Sequence, residues 1–303
     1  MLERLVKEAL ATKIEGILLF DEPLSKHTSF RIGGPADVLV VPLDLEDLKK
    51  TLKVAEKNNI PLIVIGNGTK LLVSDDGIEG ITVKLSGCFN DLAVSGRDVR
   101  VGAGYPLAGL SRSVADWGLS GLEFAVGIPG TVGGGIAMNA GAHGHSIGDA
   151  VTKVAVIGCD GEIKEYEHDE LGFSFRCSRF QVDNSIILKC EMLLEEGVVG
   201  DIQKKMSENL SWRKENQPLD FPNAGSIFKN PEGLVAGRLI DDCGLKGMRV
   251  GDAQVSEKRA NFIVNLGKAK ASDVQELMTI AQSRVFEKFG IRLEPEIRLV
   301  GRF

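Results

Sequence analysis

Blocks of apolar and polar residues alternate near the start of the chain, and their spacing predicts strands and a helix. The run ADVLVVP, residues 36–42, predicts a strand, and Asp44 after it can cap a helix. That helix has an apolar stripe of four residues: Leu45, Leu48, Leu52 and Ala55. A second buried strand, IPLIVIG, ends at Gly66, where the sequence NGTKLL begins. Residues 37–85 therefore predict an α/β unit that leads into a glycine-containing turn.

Such a turn has two interpretations. Glycine lacks the Cβ atom that would block a ligand, so backbone N–H groups in the turn can approach a phosphate. The short sequence GNGT is equally consistent with an ordinary tight turn. By itself it does not decide between them.

The middle of the chain alternates apolar and polar positions from about Val151 to Leu194, a pattern typical of strands. Asp160 and Gly161 mark a hairpin turn within this region. The following segment, VVGDIQKKMSENLSWRKENQP, predicts a polar helix that ends before Pro218. We expect a domain boundary near residue 195.

The C-terminal region predicts one well-marked helix and a final strand. The helix is ASDVQELMTIAQSRVFEKFG, in which Ser272 and Gln275 fit a capping box and Gly290 ends the helix. Its apolar stripe contains Val274, Leu277, Met278, Ala281 and Val285. In the strand IRLEPEIRLVG, a period of two would place four charged residues on one face: Arg292, Glu294, Glu296 and Arg298. A solvated face with salt bridges is the ordinary role of such charges.

Between Asp116 and Asp149 the only formally charged residue is Glu123, and the segment is crowded with glycine. Pro129 and the run Gly133–Gly135 oppose a membrane-spanning helix here. One interpretation is a buried loop whose backbone polar groups are satisfied by neighbouring protein. The other is a wall lining a large cofactor, with the N–H groups of residues 130–135 aimed at its phosphates. The 36 glycines in 303 residues exceed the usual roughly 7% and favour the cofactor.

Composition excludes several classes of function. A net charge of −6 and a pI of about 5.4 repel nucleic acid and anionic membrane surfaces. The five cysteines include no CxxC pair and, with no signal-like or membrane-spanning segment, predict a cytoplasmic protein. His143 and His145 have no partner pattern for a metal site, so we expect no metal. There is no Walker A lysine motif.

Two residues outside the glycine-rich tract could carry chemistry. Arg176 lies in FSFRCSRF, where alternation would put Phe173 and Phe175 on one side and Ser174 and Arg176 on the other. A solvated strand arginine is the simpler alternative. Ser226 lies in the turn sequence Asn-Ala-Gly-Ser, where a hydroxyl most often bonds only to backbone.

Six motifs, in this order, resemble those of UDP-N-acetylenolpyruvoylglucosamine reductases: HTSFRIGGPADVLVVP, VIGNGTKLLV, GLEFAVGIPGTVGGGIAMNAGAHG, FSFRCSRF, NAGSIFKNP and LEPEIRLVG. The resemblance implies an α+β fold, with an FAD-binding domain of the vanillyl-alcohol-oxidase (PCMH) type at 1–194, split into two subdomains near residue 86. A substrate-binding α+β domain follows at 195–303. The compact C-terminal half resembles the shorter type, which lacks an inserted tyrosine-bearing loop.

The resemblance also implies the reaction. A non-covalently bound FAD, reduced by NADPH, would reduce UDP-N-acetylglucosamine enolpyruvate to UDP-N-acetylmuramate, in peptidoglycan precursor synthesis. Arg176 and Glu296 would stabilise the enolate-like charge and Ser226 would donate the proton. We expect a monomer whose partner is this small molecule, with no nucleic acid or membrane bound.

The implied contacts follow the motifs. Residues that match the family's cofactor contacts are Gly66, Asn67, Gly68, Thr69, Lys70, Leu71, Gly127, Ile128, Gly130, Thr131, Gly133, Gly134, Asn139 and Gly141. For the substrate diphosphate the best matches are Lys214 and Asn230, with Lys229 and Arg213 as near alternatives.

Three departures limit the transfer. Phe175 stands where relatives often have tyrosine, and Arg259 stands where many have histidine, which puts a substrate contact there in doubt. Glu294 is expected on the same face as Glu296, so either carboxylate could face the flavin.

Two other functions stay open at this point. One is a different flavin-dependent oxidoreductase on the same scaffold, such as an oxidase of small alcohols, although the motifs around Ser226 and Glu296 argue against it. The other is a nucleotide-binding module without turnover, which would fail to take up FAD.

Overall fold

The structure, a computed structural model, describes residues 4–303. Its chain divides into two compact units. The first comprises residues up to 20, together with 38–67 and 80–212, and the second comprises 21–37, 68–79 and 213–303. This division describes how the chain packs. The predicted separation into a cofactor domain and a substrate domain near residue 195 stays a prediction.

Within residues 4–303 the chain forms seven α-helices: α1 (Arg4–Lys13), α2 (Leu45–Lys57), α3 (Leu107–Asp116), α4 (Val132–Ala137), α5 (Val199–Asn216), α6 (Ala236–Asp242) and α7 (Ala271–Phe289).

The strands over the same residues are β1 (Ile17–Pro23), β2 (Pro35–Val41), β3 (Leu62–Ile65), β4 (Leu71–Val73), β5 (Ile78–Lys84), β6 (Leu92–Ser95), β7 (Asp98–Gly102), β8 (Leu119–Ser120), β9 (Gly141–Ala142), β10 (His145–Ser146), β11 (Val151–Ile157), β12 (Ile163–Glu167), β13 (Ile186–Leu193), β14 (Glu195–Glu196), β15 (Arg249–Val250), β16 (Ala253–Val255), β17 (Ile263–Asn265) and β18 (Arg298–Val300).

Two sheets organise the first unit. The four-stranded sheet has the order β1-β2-β5-β3, and β3 pairs with β5 in parallel. The five-stranded sheet has the order β12-β11-β13-β7-β6 and is antiparallel throughout. Inward-facing residues of both sheets and of α2 and α3, among them Val38, Leu48, Val101, Leu110 and Val154, are completely or almost completely buried. This core holds the glycine-rich tract in place.

The predicted α/β unit is confirmed in its details. Asp44 is the N-cap of α2, and its carboxylate accepts a hydrogen bond from the Asp47 N–H at 2.8 Å. Leu48, Leu52 and Ala55 of the predicted stripe are buried. Strand β3 ends one residue before Gly66, as the sequence indicates.

The predicted hairpin around Asp160 is confirmed as well. Gly161 has φ 79°, a left-handed conformation that glycine adopts without steric cost, and it joins β11 to β12. The polar helix is α5, which ends at Asn216, two residues before Pro218.

The second unit packs α6 and α7 with a three-stranded sheet and a strand pair. The sheet order is β15-β16-β17, and β18 pairs with β4 in parallel. All five residues of the predicted α7 stripe are buried, and Gly290 ends the helix with φ 71°. Phe30, Ile32 and Leu72, from the two short N-terminal segments, belong to the same core.

The start of α7 differs from the prediction. Lys270 is the N-cap residue, and the Asp273 carboxylate accepts from its N–H at 2.9 Å, so Ser272 and Gln275 do not form the capping box. The Asp75 carboxylate instead accepts the N–H groups of Ala271 and Ser272, at 2.7 and 3.1 Å. A carboxylate supplied from a distant part of the chain thus replaces the local cap, which no local pattern could indicate.

Across the described residues, α1 to α7 include no helix that is both long enough and apolar enough to cross a membrane.

Candidate active site

The glycine turn after β3 packs tightly against the glycine-rich tract within the first unit. A Cβ atom on Gly66 would lie 2.5 Å from the Thr131 Oγ1 atom, far inside van der Waals contact. The Asn67 side chain donates to the Pro129 carbonyl at 3.0 Å. Glycine at 66 is therefore required by close approach.

The same turn presents backbone donors that the protein does not use. Within residues 4–303, the N–H groups of Asn67, Gly68 and Thr69 have no hydrogen-bond acceptor. Gly68 has φ 59°, which suits glycine, and a Cβ atom there would lie 2.2 Å from the His27 carbonyl oxygen. Consecutive N–H groups without a protein acceptor form an anion-binding concavity. These residues fit the diphosphate of a dinucleotide cofactor.

The glycines of α4 serve close packing. The N–H groups of Val132 and Gly133 donate to the carbonyls of Tyr105 and Ala103, at 2.9 and 2.8 Å, and that of Gly135 donates within the helix. The prediction that the N–H groups of residues 130–135 are all aimed at phosphates is therefore wrong for these three, and the Gly134 N–H also has a protein acceptor, the Thr131 hydroxyl. A Cβ on Gly133 would lie 2.9 Å from the Ala103 Cβ, so the glycine lets the helix approach β7.

Polar groups of Thr131 and Gly134 lie at the beginning of α4. Thr131 is the N-cap residue, and its hydroxyl accepts from the Gly134 N–H at 3.3 Å. The glycine run forms a six-residue helix where the sequence suggested an irregular loop. Contacts of Gly130, Thr131, Gly133 and Gly134 with a cofactor stay predictions.

Asn139 is buried with φ 40°, directly after α4. Its side-chain amide donates to the Ser174 carbonyl at 2.8 Å, and its carbonyl oxygen accepts from the Gly148 N–H at 3.0 Å. These protein contacts use both ends of the carboxamide. Asn139 therefore fixes the local chain, whether or not it also contacts a cofactor through its backbone.

Arg176 lies in a tight turn and not on a strand. The backbones of Ser174 and Cys177 exchange two hydrogen bonds of 3.1 Å, and Arg176 between them has φ 55°. The predicted alternation is wrong, since Phe173 packs against the core while Phe175 is 66% exposed. The Gln181 side chain holds the turn by donating to the Arg176 carbonyl at 2.8 Å.

Glu123, the single charge of the tract, anchors its start. The buried carboxylate accepts from the Ser120 hydroxyl at 2.7 Å and from the Gly121 N–H at 2.9 Å. Burial acts to raise the pKa of Glu123, but these hydrogen bonds and Lys205 outweigh it and lower the pKa. The anchor precedes Gly127 and Ile128, two predicted cofactor contacts.

In the second unit, Lys70 joins the two predicted catalytic segments. Its ammonium nitrogen lies 2.7 Å from the Glu296 Oε1 atom and donates to the Ser226 carbonyl at 2.9 Å. The Glu296 N–H donates to the Ile227 carbonyl at 2.7 Å. The backbone next to Ser226 and that of Glu296 are therefore directly hydrogen-bonded.

The segment that carries Ser226 is rigidly held. The Asn223 side chain accepts from the Gly225 N–H at 2.9 Å, which forms the turn that the sequence predicts. Beyond the serine, the Asn261 side chain donates to the Phe228 carbonyl and accepts its N–H, at 2.8 and 2.9 Å. Ser226 itself is half-buried.

Glu294 and Glu296 do not share a face. The predicted final strand is limited to β18, and Pro295 makes an isolated bridge with Phe228. The Glu294 side chain is 76% exposed and pairs with Lys229 at 3.6 Å, whereas that of Glu296 is 8% exposed. Proline interrupts the period of two, so the two carboxylates have opposite environments.

The predicted substrate residues lie in separate environments within the second unit. Lys214 is exposed on the last turn of α5, and its carbonyl accepts from the Lys258 ammonium at 2.7 Å. Burial lowers the pKa of Arg213 beside it. The exposed Asn230 accepts the Ala236 N–H at 3.1 Å at the start of α6. The guanidinium of Arg259 lies 5.9 Å from the centre of the Phe262 ring.

The sequence alone does not identify the side chains that position Arg176, Ser226 and Glu296. Gln181 and Ser178 fix the Arg176 turn, the latter by donating to the Ala137 carbonyl at 2.9 Å. The family resemblance assigns Lys70 to the cofactor alone. The one available signal was its charge inside an otherwise neutral turn, GNGTKLL.

Comparison with known proteins identifies both parts of the chain. Residues 36–167 match an FAD binding domain, and residues 217–300 match the C-terminal domain of UDP-N-acetylenolpyruvoylglucosamine reductase. The fold and the donor-rich glycine turn thus define an FAD-dependent oxidoreductase, and the predicted α+β fold with a PCMH-type FAD-binding domain is confirmed.

The relatives identify the family. UDP-N-acetylenolpyruvoylglucosamine reductase 2 of Symbiobacterium thermophilum is 48% identical over 92% of this chain and 91% of its own length. The reductase of Caldanaerobacter subterraneus subsp. tengcongensis is 46% identical over 99% of both chains. The solved structure of the Thermus caldophilus reductase matches with a TM-score of 0.82 and 39% identity, covering 95% of this chain and 100% of that one.

The chain belongs to the UDP-N-acetylenolpyruvoylglucosamine reductase family. The predicted resemblance, the enzyme class, the FAD cofactor with NADPH as reductant and the place in peptidoglycan synthesis are thereby confirmed. The assignment of individual site residues stays a prediction.

Proposed function

We propose that this chain reduces UDP-N-acetylglucosamine enolpyruvate to UDP-N-acetylmuramate, with Arg176, Ser226 and Glu296 as its catalytic residues. The observation that supports this most directly is the hydrogen bond from the Glu296 N–H to the Ile227 carbonyl, 2.7 Å long. It keeps a buried carboxylate next to the segment that carries the serine. A proton donor and a charge stabiliser are the groups that this reduction needs.

The difficulty of the reaction lies in the substrate. An unactivated enol ether accepts a hydride poorly, because addition at the vinyl carbon builds negative charge on the adjacent carbon and into the carboxylate. FAD, when bound and reduced by NADPH, would supply the hydride. Groups that stabilise the enolate-like charge lower the barrier more than groups that only hold the substrate.

Each of the three residues has a distinct role in the proposal. Arg176 offers a fixed positive charge for the enolate-like carboxylate, and its position at φ 55° in a braced turn limits its backbone freedom. Glu296 would stabilise the same enolate-like charge. The Ser226 hydroxyl donates the proton that completes the reduction, a task that depends on reach more than on an unusual pKa.

The cofactor contacts proposed for the chain begin with the glycine turn. The unused N–H groups of Asn67, Gly68 and Thr69 support binding of the FAD diphosphate there. We propose the division into a cofactor domain at 1–194 and a substrate domain at 195–303 because the two family matches, 36–167 and 217–300, lie on either side of residue 195. Lys214 and Asn230 would hold the substrate diphosphate.

The setting of the activity is part of the proposal. The acidic composition, with a net charge of −6, supports a monomer that handles a small molecule and binds neither nucleic acid nor membrane. The five cysteines, which include no CxxC pair, support the cytoplasm.

The test is NADPH oxidation by the purified holoprotein with and without the enolpyruvyl sugar nucleotide, with mass spectrometry of the product. Substrate-dependent oxidation and a product heavier by two hydrogens are expected. Acid denaturation should release all yellow colour into the supernatant, because the flavin is not covalently attached. If the rate of NADPH oxidation is the same with and without the sugar nucleotide, the protein is another flavin oxidoreductase. A colourless protein that takes up no FAD would indicate a non-catalytic module.

A further inference from the structure

We infer that Lys70 is a positioning residue, whose ammonium group sets where the Ser226 hydroxyl and the Glu296 carboxylate lie for the reduction. The inference rests on the proposed function, since it assigns a task to a residue next to the proposed catalytic pair. It differs from the role that family resemblance implies, in which Lys70 contacts the cofactor.

The contacts of the ammonium group support this task. It lies 2.7 Å from the Glu296 Oε1 atom and 2.9 Å from the Ser226 carbonyl oxygen. Both distances are typical of charge-assisted hydrogen bonds, which are shorter and stronger than neutral ones. One cation thus joins the two segments through side-chain contacts.

Burial of the Glu296 side chain makes the loss of this ion pair costly in free energy. The Glu296 side chain is 8% exposed and the Lys70 side chain 28%. Water can therefore replace the ammonium at Glu296 only in part, and removing a partner of a poorly hydrated carboxylate costs far more than removing one at the surface. Without the Lys70 ammonium, the free energy of the Glu296 carboxylate falls if its side chain rotates toward another donor or toward water.

The surrounding backbone is fixed independently of this side chain. The Lys70 carbonyl accepts from the Arg298 N–H at 2.8 Å, within the parallel pairing of β4 with β18. The Glu296 N–H is bound by Ile227. Replacing the ammonium should therefore leave the fold in place and act on the two groups that it contacts, the Glu296 carboxylate and the Ser226 carbonyl.

Gly225 provides the space for this arrangement. It has φ 73°, and a Cβ atom at this position would lie 3.3 Å from the Lys70 ammonium nitrogen. The residue before the serine is thus shaped so that the lysine can reach the serine carbonyl.

The position of the serine carbonyl matters for proton transfer. The peptide plane after Ser226 and the direction of its side chain are set at the same Cα atom. A displacement of about 1 Å at a reacting group can cost about a hundredfold in rate. Lys70 would act through Ser226 and Glu296 and need not touch the substrate.

Three variants of the holoenzyme test the inference. Lys70→Met removes the charge and keeps much of the volume, and Lys70→Arg restores a cation with a different reach. Lys246→Met is the matched control, because Lys246 also forms an ion pair in the second unit, 2.6 Å from Asp241, but the side chain of this carboxylate partner is 46% exposed. Each variant is examined for thermal unfolding, FAD affinity, flavin reduction by NADPH, and flavin reoxidation by the enolpyruvyl sugar nucleotide.

The variant should affect the two half-reactions, flavin reduction by NADPH and flavin reoxidation by the sugar nucleotide, to different extents. In Lys70→Met, FAD affinity and the rate of flavin reduction should stay within about threefold of wild type, while reoxidation should slow by about thirtyfold or more. The solvent deuterium isotope effect on reoxidation should rise, since proton transfer from Ser226 becomes more limiting. Lys70→Arg should recover part of the lost rate, and Lys246→Met should match wild type throughout.

Other results would overturn the inference. Reoxidation within about threefold of wild type in Lys70→Met would show that the ion pair is not needed. An FAD affinity that falls as steeply as the rate would show that Lys70 is a cofactor contact. If Lys70→Met does not fold, Lys70→Arg decides: reoxidation must slow while flavin reduction and FAD affinity are kept, and a uniform loss of all three contradicts positioning. Failure of the proposed function is distinct, because wild type itself would then not transfer electrons to the sugar nucleotide.

Discussion

The Asn139 side-chain amide donates a hydrogen bond of 2.8 Å to the Ser174 carbonyl, so the end of α4 is tied to the turn that carries Arg176. The other end of the same carboxamide accepts the Gly148 N–H. The short glycine helix and the arginine turn are therefore one braced assembly within the first unit. A substitution at Asn139 should therefore alter the position of Arg176, although the Asn139 side chain bonds to Ser174 and not to Arg176.

Asn139→Ala should lower the free energy of unfolding by about 2 to 4 kcal/mol, because the buried Gly148 N–H and the part-buried Ser174 carbonyl lose their partner. Urea denaturation measures the loss. Asn58→Ala is the matched control, since Asn58 is exposed and makes one side-chain bond, to Val54, and should cost less than about 1 kcal/mol. Equal losses in the two variants would contradict the bracing role.

Ser226→Ala should separate the two halves of the reaction. Flavin reduction by NADPH should proceed at the wild-type rate, while reoxidation by the enolpyruvyl sugar nucleotide should slow by about a hundredfold to ten-thousandfold, as expected when a general acid is removed. Stopped-flow absorbance of the flavin follows both steps. Ser283→Ala, at an exposed position of α7, is the control. Two normal half-reactions in Ser226→Ala would show that another group donates the proton.

Gly66→Ala should weaken FAD binding by about tenfold or more, equivalent to about 1.4 kcal/mol. The new Cβ would lie 2.5 Å from the Thr131 hydroxyl oxygen and would push that residue from its capping position at α4. Flavin fluorescence during titration of the apoprotein gives the affinity.

Two further variants define the cause of that loss. Gly200→Ala, on the exposed start of α5 with no atom within 4 Å of the new Cβ, should bind FAD normally. Adding Thr131→Ala to Gly66→Ala should cost less than the sum of the two single changes, because the clash disappears. Strict additivity would rule out the clash as the cause.

Asp47 should make stability depend on pH. Its buried carboxylate accepts three backbone N–H groups, from Glu15, Gly16 and Leu43, at 2.9, 2.9 and 3.0 Å. Burial acts to raise the pKa of Asp47, but these hydrogen bonds outweigh it and lower the pKa. The ionised form of the Asp47 side chain is therefore more stable, relative to the protonated form, in the folded chain than in the unfolded chain.

Because the folded pKa is lowered, this contribution is complete above the unfolded pKa of about 3.9 and is lost as the pH falls through the folded value. Asp47→Asn should be less stable than wild type at pH 7, and the difference should shrink as the pH falls below about 4. Urea denaturation across this range measures it. Glu46→Gln, at the exposed neighbour, should show little difference at any pH, and a difference for Asp47→Asn that grows on acidification would contradict the assignment.

The elements that could be predicted from the sequence are those whose causes are local. Asp44 caps α2 three residues before the N–H that it binds, and Gly290 ends α7 through its own φ. The buried stripe of α7 follows from spacing alone. Each of these depends on residues within one or two helical turns.

The rest depends on partners that are distant in the chain. The turn that carries Arg176 is braced by Asn139, which lies 35 residues before the Ser174 carbonyl that it binds. Pro295 is the exception, because it separates Glu294 from Glu296 within the sequence itself. Glycine content indicated a cofactor wall, but spacing could not reveal which N–H groups the protein itself uses. The ion pair of Lys70 with Glu296 joins residues at opposite ends of the sequence.

The second unit is assembled from three separated stretches, and this has a consequence for synthesis. Phe30, Ile32 and Leu72 leave the ribosome early, yet the residues that will cover them lie after position 213. At about 5–20 residues per second, those apolar side chains wait for tens of seconds before their partners are made. A nascent chain of this protein should therefore need chaperone protection early in translation, and residues 213–303 produced alone should be an incomplete, aggregation-prone fragment.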